Sequence, residues 1–230
     1  MATNYDLNNT GPEVQERLDQ VMPNKTDISQ EVLRAQGLEA GLQRQIDEIV
    51  LDNATVNITV SPAVVYADEA ATIHLAATTD TEAAISIKQG ETVIAEGEGF
   101  SLNGDEEITP TVGDVNYVAE FIIRNLMKSV SKTVKAVRPI FYGCGEDYTD
   151  ATTKASPRTS PAGTYNVTVG TTSAYVFFVV PATMTIHAAT MSGFDFPLND
   201  PVEVEIEDVA YKSYKSANTY DVGELTIIIS

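Results

Sequence analysis

Every seventh residue from Val14 is apolar: Val14, Val21, Ile28, Ala35, Leu42 and Ile49. Four residues on from the first five come Leu18, Lys25, Val32, Glu39 and Ile46. A strict seven-residue repeat keeps one narrow stripe of a helix facing a partner helix, so the pattern predicts association between chains. The flanks are polar, as at Gln43, Gln45, Asp47 and Glu48. A helix laid on its own globular core shows a wider apolar face, which argues against an amphipathic hairpin folded back on the chain. Pro23, followed by Asn24, removes a donor and crowds the preceding turn, and Gly37 and Gly41 each weaken a helix by about 1 kcal/mol. The expectation is a short helix over 12–22 and a second over 27–50, in phase across the break.

After Asp52 the apolar period changes from 3.5 to 2, marking the first boundary. Ala54–Val60 alternates and stops at Ser61-Pro62; Thr72–Ala76 and Ala84–Ile87 alternate again, and Lys88-Gln89-Gly90-Glu91 turns into Thr92–Ala95. Asn103-Gly104 reads as a tight turn, since both central positions of a two-residue hairpin loop want positive φ. Val115, Tyr117, Ala119, Phe121 and Ile123 share one face of a long strand, and Arg124–Met127 connects it to a return strand over 129–137. About seven short strands at this spacing predict an immunoglobulin-like β-sandwich over 53–138.

Arg138-Pro139 and a glycine-rich stretch open the last segment, and 148–163 is Thr, Ser, Ala and Pro with no period, hence loop. Strands are expected over 163–169, over 174–180 as a buried central strand, and over 182–188, 202–209 and 225–229. The second all-β module thus spans 139–230. The whole is mainly β with an N-terminal helical stalk over 14–52, preceded by a polar segment, 1–13, in which Tyr5 and Leu7 are the only bulky apolar groups. Too short to build a core, that segment is a candidate docking peptide, with Tyr5 and Leu7 as its anchors.

The 33 acidic residues against 14 basic ones leave a formal charge of −19, which disfavours nucleic acid and anionic membrane surfaces as partners. No secretory leader or membrane-spanning run is visible, and the expectation is a soluble protein made in a cytoplasm. Cys144 is the single cysteine, so stability is expected from core burial or oligomerisation rather than disulfides. His74 and His187 fall in different modules, and Glu203, Glu205 and Glu207 alternate along one strand face, too far apart to share one Ca²⁺. No phosphate loop, nucleophile elbow or zinc motif occurs. The reading is therefore non-enzymatic, with no cofactor, no metal and no catalytic residue.

Asn4–Val21 resembles the opening of fibre proteins of Bacteroides-type and crAss-like bacteriophages, and Leu38–Ile49 is similar to their stalk. Lys132–Gly143 resembles the exit from an immunoglobulin-like module in such proteins, and Gly193–Pro197 with Tyr211–Tyr220 resembles their closing module. The resemblance implies a homotrimer on the virion surface: a head fibre or capsid decoration, attached to a capsid or other virion protein by 1–13 through Tyr5 and Leu7. The trimer seam would be Val14, Leu18, Val21, Ile28, Val32, Leu42, Ile46 and Ile49. The β modules would face outward, toward a host-surface or mucus glycan. Alternatives are a tail fibre or receptor-binding protein, and a bacterial surface carbohydrate-binding protein.

Overall fold

The computed structural model describes residues 11–170 and 172–230. Two units are distinguished: one comprises the N-terminal helix with 123–126, the other 55–122 with 127–230. The helix, α1, runs Gly11–Asn53 without interruption and is the one α-helix among the described residues. The expected break at Pro23 is absent. One proline removes a single i→i−4 bond and crowds one carbonyl, and a helix continuing on both sides absorbs that loss.

The chain then becomes β. Six strands, β1 (Val56–Ser61), β2 (Val64–Tyr66), β3 (Ala71–Gln89), β4 (Thr92–Ile108), β5 (Gly113–Ile123) and β6 (Leu126–Val137), form one sheet in the order β1-β3-β5-β6-β2, with β4 also on β3. Thr72–Ala76 and Ala84–Ile87 are halves of the single strand β3, β4 runs on from Thr92 through Asn103-Gly104 to Ile108, and β2 is a strand the alternation did not mark. A register shift between Thr78 and Ala83 divides β3: the first half pairs with β1 and the second with β5, while β4 follows both. Burial alternates through both halves, with Ile73, Leu75, Ala77, Ala83, Ile85 and Ile87 inside. Tyr117, Ala119, Phe121 and Ile123 of β5 are buried as well, as their alternation predicts.

Asn103-Gly104 is not a turn but lies within β4, paired with Ala76 and Leu75. Gly104 serves close approach instead: a Cβ there would stand 3.0 Å from that of Ala95. The tight turns fall elsewhere. Gly90-Glu91 closes β3 to β4 as expected, and Arg124-Asn125, both at positive φ, close β5 to β6.

Two further sheets are built from 141–229. β7 (Phe141–Gly145), β8 (Thr153–Lys154), β10 (Tyr175–Pro181), β13 (Val202–Ile206) and β14 (Val209–Lys215) form the order β13-β14-β10-β7-β8. β9 (Gly163–Val169), β11 (Ala189–Met191), β12 (Phe194–Asp195) and β15 (Gly223–Ile229) form β12-β11-β15-β9. β10 is the expected central strand, and its unbroken apolar run has a physical cause. Val176, Phe178 and Val180 join Tyr165, Val167, Phe196, Tyr214, Ile227 and Ile229 in the main core of 140–230. Phe177 and Val179 face the other way, into a smaller cluster with Ala151 and Tyr211.

Two expected strands are corrected. Residues 182–188 are a loop, and the strand begins only at Ala189. The stretch 202–209 is a hairpin, because Glu207-Asp208 take positive φ and reverse the chain between Ile206 and Val209. The glycine-rich opening at 141–145 is itself a strand. Its glycines admit the segment beside it: a Cβ on Gly143 would lie 3.0 Å from the Ala151 Cα, and one on Gly145 2.4 Å from the Asp150 Cβ.

Candidate functional site

On α1, the stripe read from the heptad is uncovered. Ile28 is 65% exposed, Val32 49%, Leu42 58%, Ile46 48% and Ile49 60%. Val14, Leu18 and Val21 fall where side chains lie outside the described residues, and Tyr5 and Leu7 precede the described chain. Leu38, also exposed, stands three residues after Ala35 and four before Leu42, so it shares their face and was missed because Glu39 holds the heptad position. Leu33 lies off the stripe. The flanks are tied by pairs within the helix: Arg34 Nη2 to Glu31 Oε1 at 2.5 Å, Gln43 Nε2 donating to Asp47 Oδ1 at 2.9 Å, and Arg44 to Glu48 at 3.7 Å. The guanidinium of Arg34 holds the Glu31 carboxyl below its ordinary range. Such pairs keep the flanks soluble but bury none of the stripe.

A second feature lies on the far face of the β7–β8–β10–β13–β14 sheet, a cleft of about 540 Å³. Its apolar floor is Phe141, Ile206, Val209 and Tyr211, part of the cluster that β10 supports from below. One wall is Tyr148, Thr149, Ala151, Thr152 and Lys154, with Tyr148–Asp150 a 3₁₀ turn held by a capping box in which the Asp147 carboxylate accepts from Thr149 N. The other wall is Ala67–Glu69 with Arg138, and Glu205 and Glu207 of the β13–β14 hairpin complete the rim. Arg138 is paired with Asp68, Lys154 with Glu69, and the Tyr66 hydroxyl donates to the Ala155 carbonyl.

Tyr211 is 2% exposed and lines the cleft, its ring centroid 6.0 Å from that of Phe141. Burial raises its pKa; Arg138 nearby opposes the rise and Glu207 adds to it. Glu69 raises the Lys154 pKa chiefly through its hydrogen bond, and Glu207 contributes to the same rise. No family model and no curated protein matches this chain. What can be said of its chemistry therefore rests on these residues.

The remaining sequence candidates are not brought together. His74 sits exposed on β3, its Nδ1 2.8 Å from Asp105 Oδ1, while His187 is exposed in the 182–188 loop. Glu203 and Glu205 share a face of β13, but Glu207 belongs to the turn. Among the described residues no three His, Cys, Asp or Glu side chains are grouped to hold a metal. The Cys144 thiol donates to the Thr168 carbonyl at 3.1 Å. No helix among the described residues is long and apolar enough to cross a membrane. Sequence reasoning missed the cleft because its lining comes from four separated segments, and only the Tyr148–Lys154 loop stood out as unusual.

Proposed function

We propose that this chain is a non-enzymatic structural protein of a bacteriophage virion, a homotrimeric head fibre or capsid decoration. It docks by its N-terminal segment, trimerises through α1 as a coiled-coil stalk, and displays its β modules for adhesion. The observation that carries the reading is the bare stripe of Ile28, Val32, Leu42, Ile46 and Ile49 on a helix whose own chain leaves it uncovered. Each such side chain stabilises an assembly by roughly 1.5–3 kcal/mol when buried, so a chain keeping the stripe in water forgoes a large association energy. The resemblance of 4–21, 38–49 and 132–143 to phage fibres supplies the virion. An immunoglobulin-like module over 53–138 is supported by the register shift within the β3–β4 pair and the parallel pairing of β2 with β6 at the sheet edge.

The test is sedimentation of the full chain beside Ile46→Asp. The wild type should run at three times the chain mass and the variant at one, since a charge at a desolvated layer costs several kcal/mol in each assembly. A wild type that is already monomeric overturns the stalk. Labelling particles with antibody to residues 139–230 then separates head from tail attachment, and unlabelled particles overturn the virion assignment.

A further inference from the structure

We propose that β4 is a self-pairing sheet edge held open by its own carboxylates, and that the partner it fits is β4 of a second copy of this chain. The inference goes beyond the fibre reading and does not depend on it. β3 lies inside its sheet, with β4 along one side and β1, then β5, along the other. β4, Thr92–Ile108, therefore borders the sheet, and no described strand other than β3 pairs with it. Its free side runs the full 17 residues, whereas the other border strands, β1, β2, β8, β9, β12 and β13, run from 2 to 7. A row of unpaired backbone N–H and C=O groups of that length is a template for another strand. The backbone does nothing to blunt it: residues 92–108 contain no proline, and Val93 and Phe100 stand 47% and 57% exposed along it.

What guards the edge is charge. Glu96, Glu98, Asp105 and Glu107 are exposed, and 92–108 holds no Lys or Arg. The sheet itself offers little to balance them. Asp105 has His74 Nδ1 at 2.8 Å, but Lys88 of β3 is engaged by Glu120 of β5 at 2.5 Å, and Glu106 already accepts from the Tyr117 hydroxyl. Two antiparallel copies of one strand, centred on each other, are related by a two-fold axis, so one surface serves both. The 96–98 end of each copy then lies against the 103–107 end of the other. Acid meets acid at both ends, and like charges directly opposite destabilise a pair of strands. The same strand supplies a ladder of matching length and alternation, so the carboxylates are what keep the edges apart.

The experiment is sedimentation of the full chain over a range of concentrations, each variant beside the wild type at the same low ionic strength. Glu96→Lys with Glu98→Lys sets lysines against the 103–107 acids of a second copy, in both directions. Its mass should rise with concentration to at least twice that of the wild type. Neutralising the guard, with Glu96→Gln, Glu98→Gln, Asp105→Asn and Glu107→Gln together, should produce the same association. Asp114→Asn, Glu146→Gln, Asp200→Asn and Glu224→Gln shift the net charge equally but lie outside β4, and should leave the mass unchanged; this control discounts a general loss of repulsion. Amide hydrogen exchange of the associated variants should slow within 92–108. Both β4 variants at the wild-type mass, equal association of the control, or protection gained elsewhere and not in 92–108 would each overturn the proposal. Unchanged circular dichroism confirms that the variants are folded.

Discussion

Gly145 shows how a single missing Cβ can hold a loop in place. The Asp150 carboxylate occupies the space beside it and accepts from Glu146 N at 2.9 Å and Asp147 N at 3.1 Å. Gly145→Ala would push the Asp150 side chain away and break both bonds, at about 1–3 kcal/mol. Urea denaturation should show that loss, whereas Gly170→Ala, where nothing lies within 4 Å of the new methyl, should be close to neutral. Asp80 works by charge instead. Its Oδ1 accepts from Thr55 N at 2.9 Å, fastening the start of the β unit to the register shift in β3, and that bond holds its pKa below the ordinary value. A depressed carboxyl contributes stability above its unfolded pKa of about 3.9 and loses it as pH falls through the folded value. The stability gap between wild type and Asp80→Asn should therefore be full at neutral pH and close progressively in acid, as measured by denaturant midpoints at each pH.

Among the elements, α1 makes the clearest case. Gly37 and Gly41 sit inside an unbroken helix with open space where a Cβ would be, and both lie away from the apolar stripe. Gly37→Ala should raise helix stability by about 1 kcal/mol without changing the assembly mass. Thermal melting followed at 222 nm checks it, and no gain would mean that the helix does not run through this point in solution. The strands teach a complementary lesson. Alternation in β5 marked Tyr117, Ala119, Phe121 and Ile123 as one buried face because a sheet with one wet side writes its geometry directly into the residues. Val202–Ile206 alternates too, but Glu207-Asp208 carry no glycine to announce the reversal into Val209–Lys215, whose Tyr211 and Tyr214 are buried on opposite faces. Non-glycine residues at positive φ look ordinary in a sequence and are tolerated only because the paired strands impose the turn.

For the whole molecule, 55–230 contains its own cores and the ties between its parts: Arg138 with Asp68, Lys154 with Glu69, and Tyr66 with the Ala155 carbonyl. Expressed without 1–54, it should remain folded and sediment as a single chain, with a β-type circular dichroism spectrum and one cooperative urea transition. Aggregation or an unfolded spectrum would show that the helix is required for folding and not only for assembly. The sequence by itself determined the period of each region: the helical heptad before residue 54, alternation after it, and the fully apolar strand at 174–180. Period depends on which faces meet water, a local property that neighbouring residues record. Only the tertiary structure decided that β3 is one strand with a register shift in its middle, that Gly104 serves packing rather than turning, and that Tyr211, Arg138, Lys154 and Glu207 line one cleft. Those features depend on contacts between segments up to scores of residues apart, and no local pattern encodes where such segments come to rest.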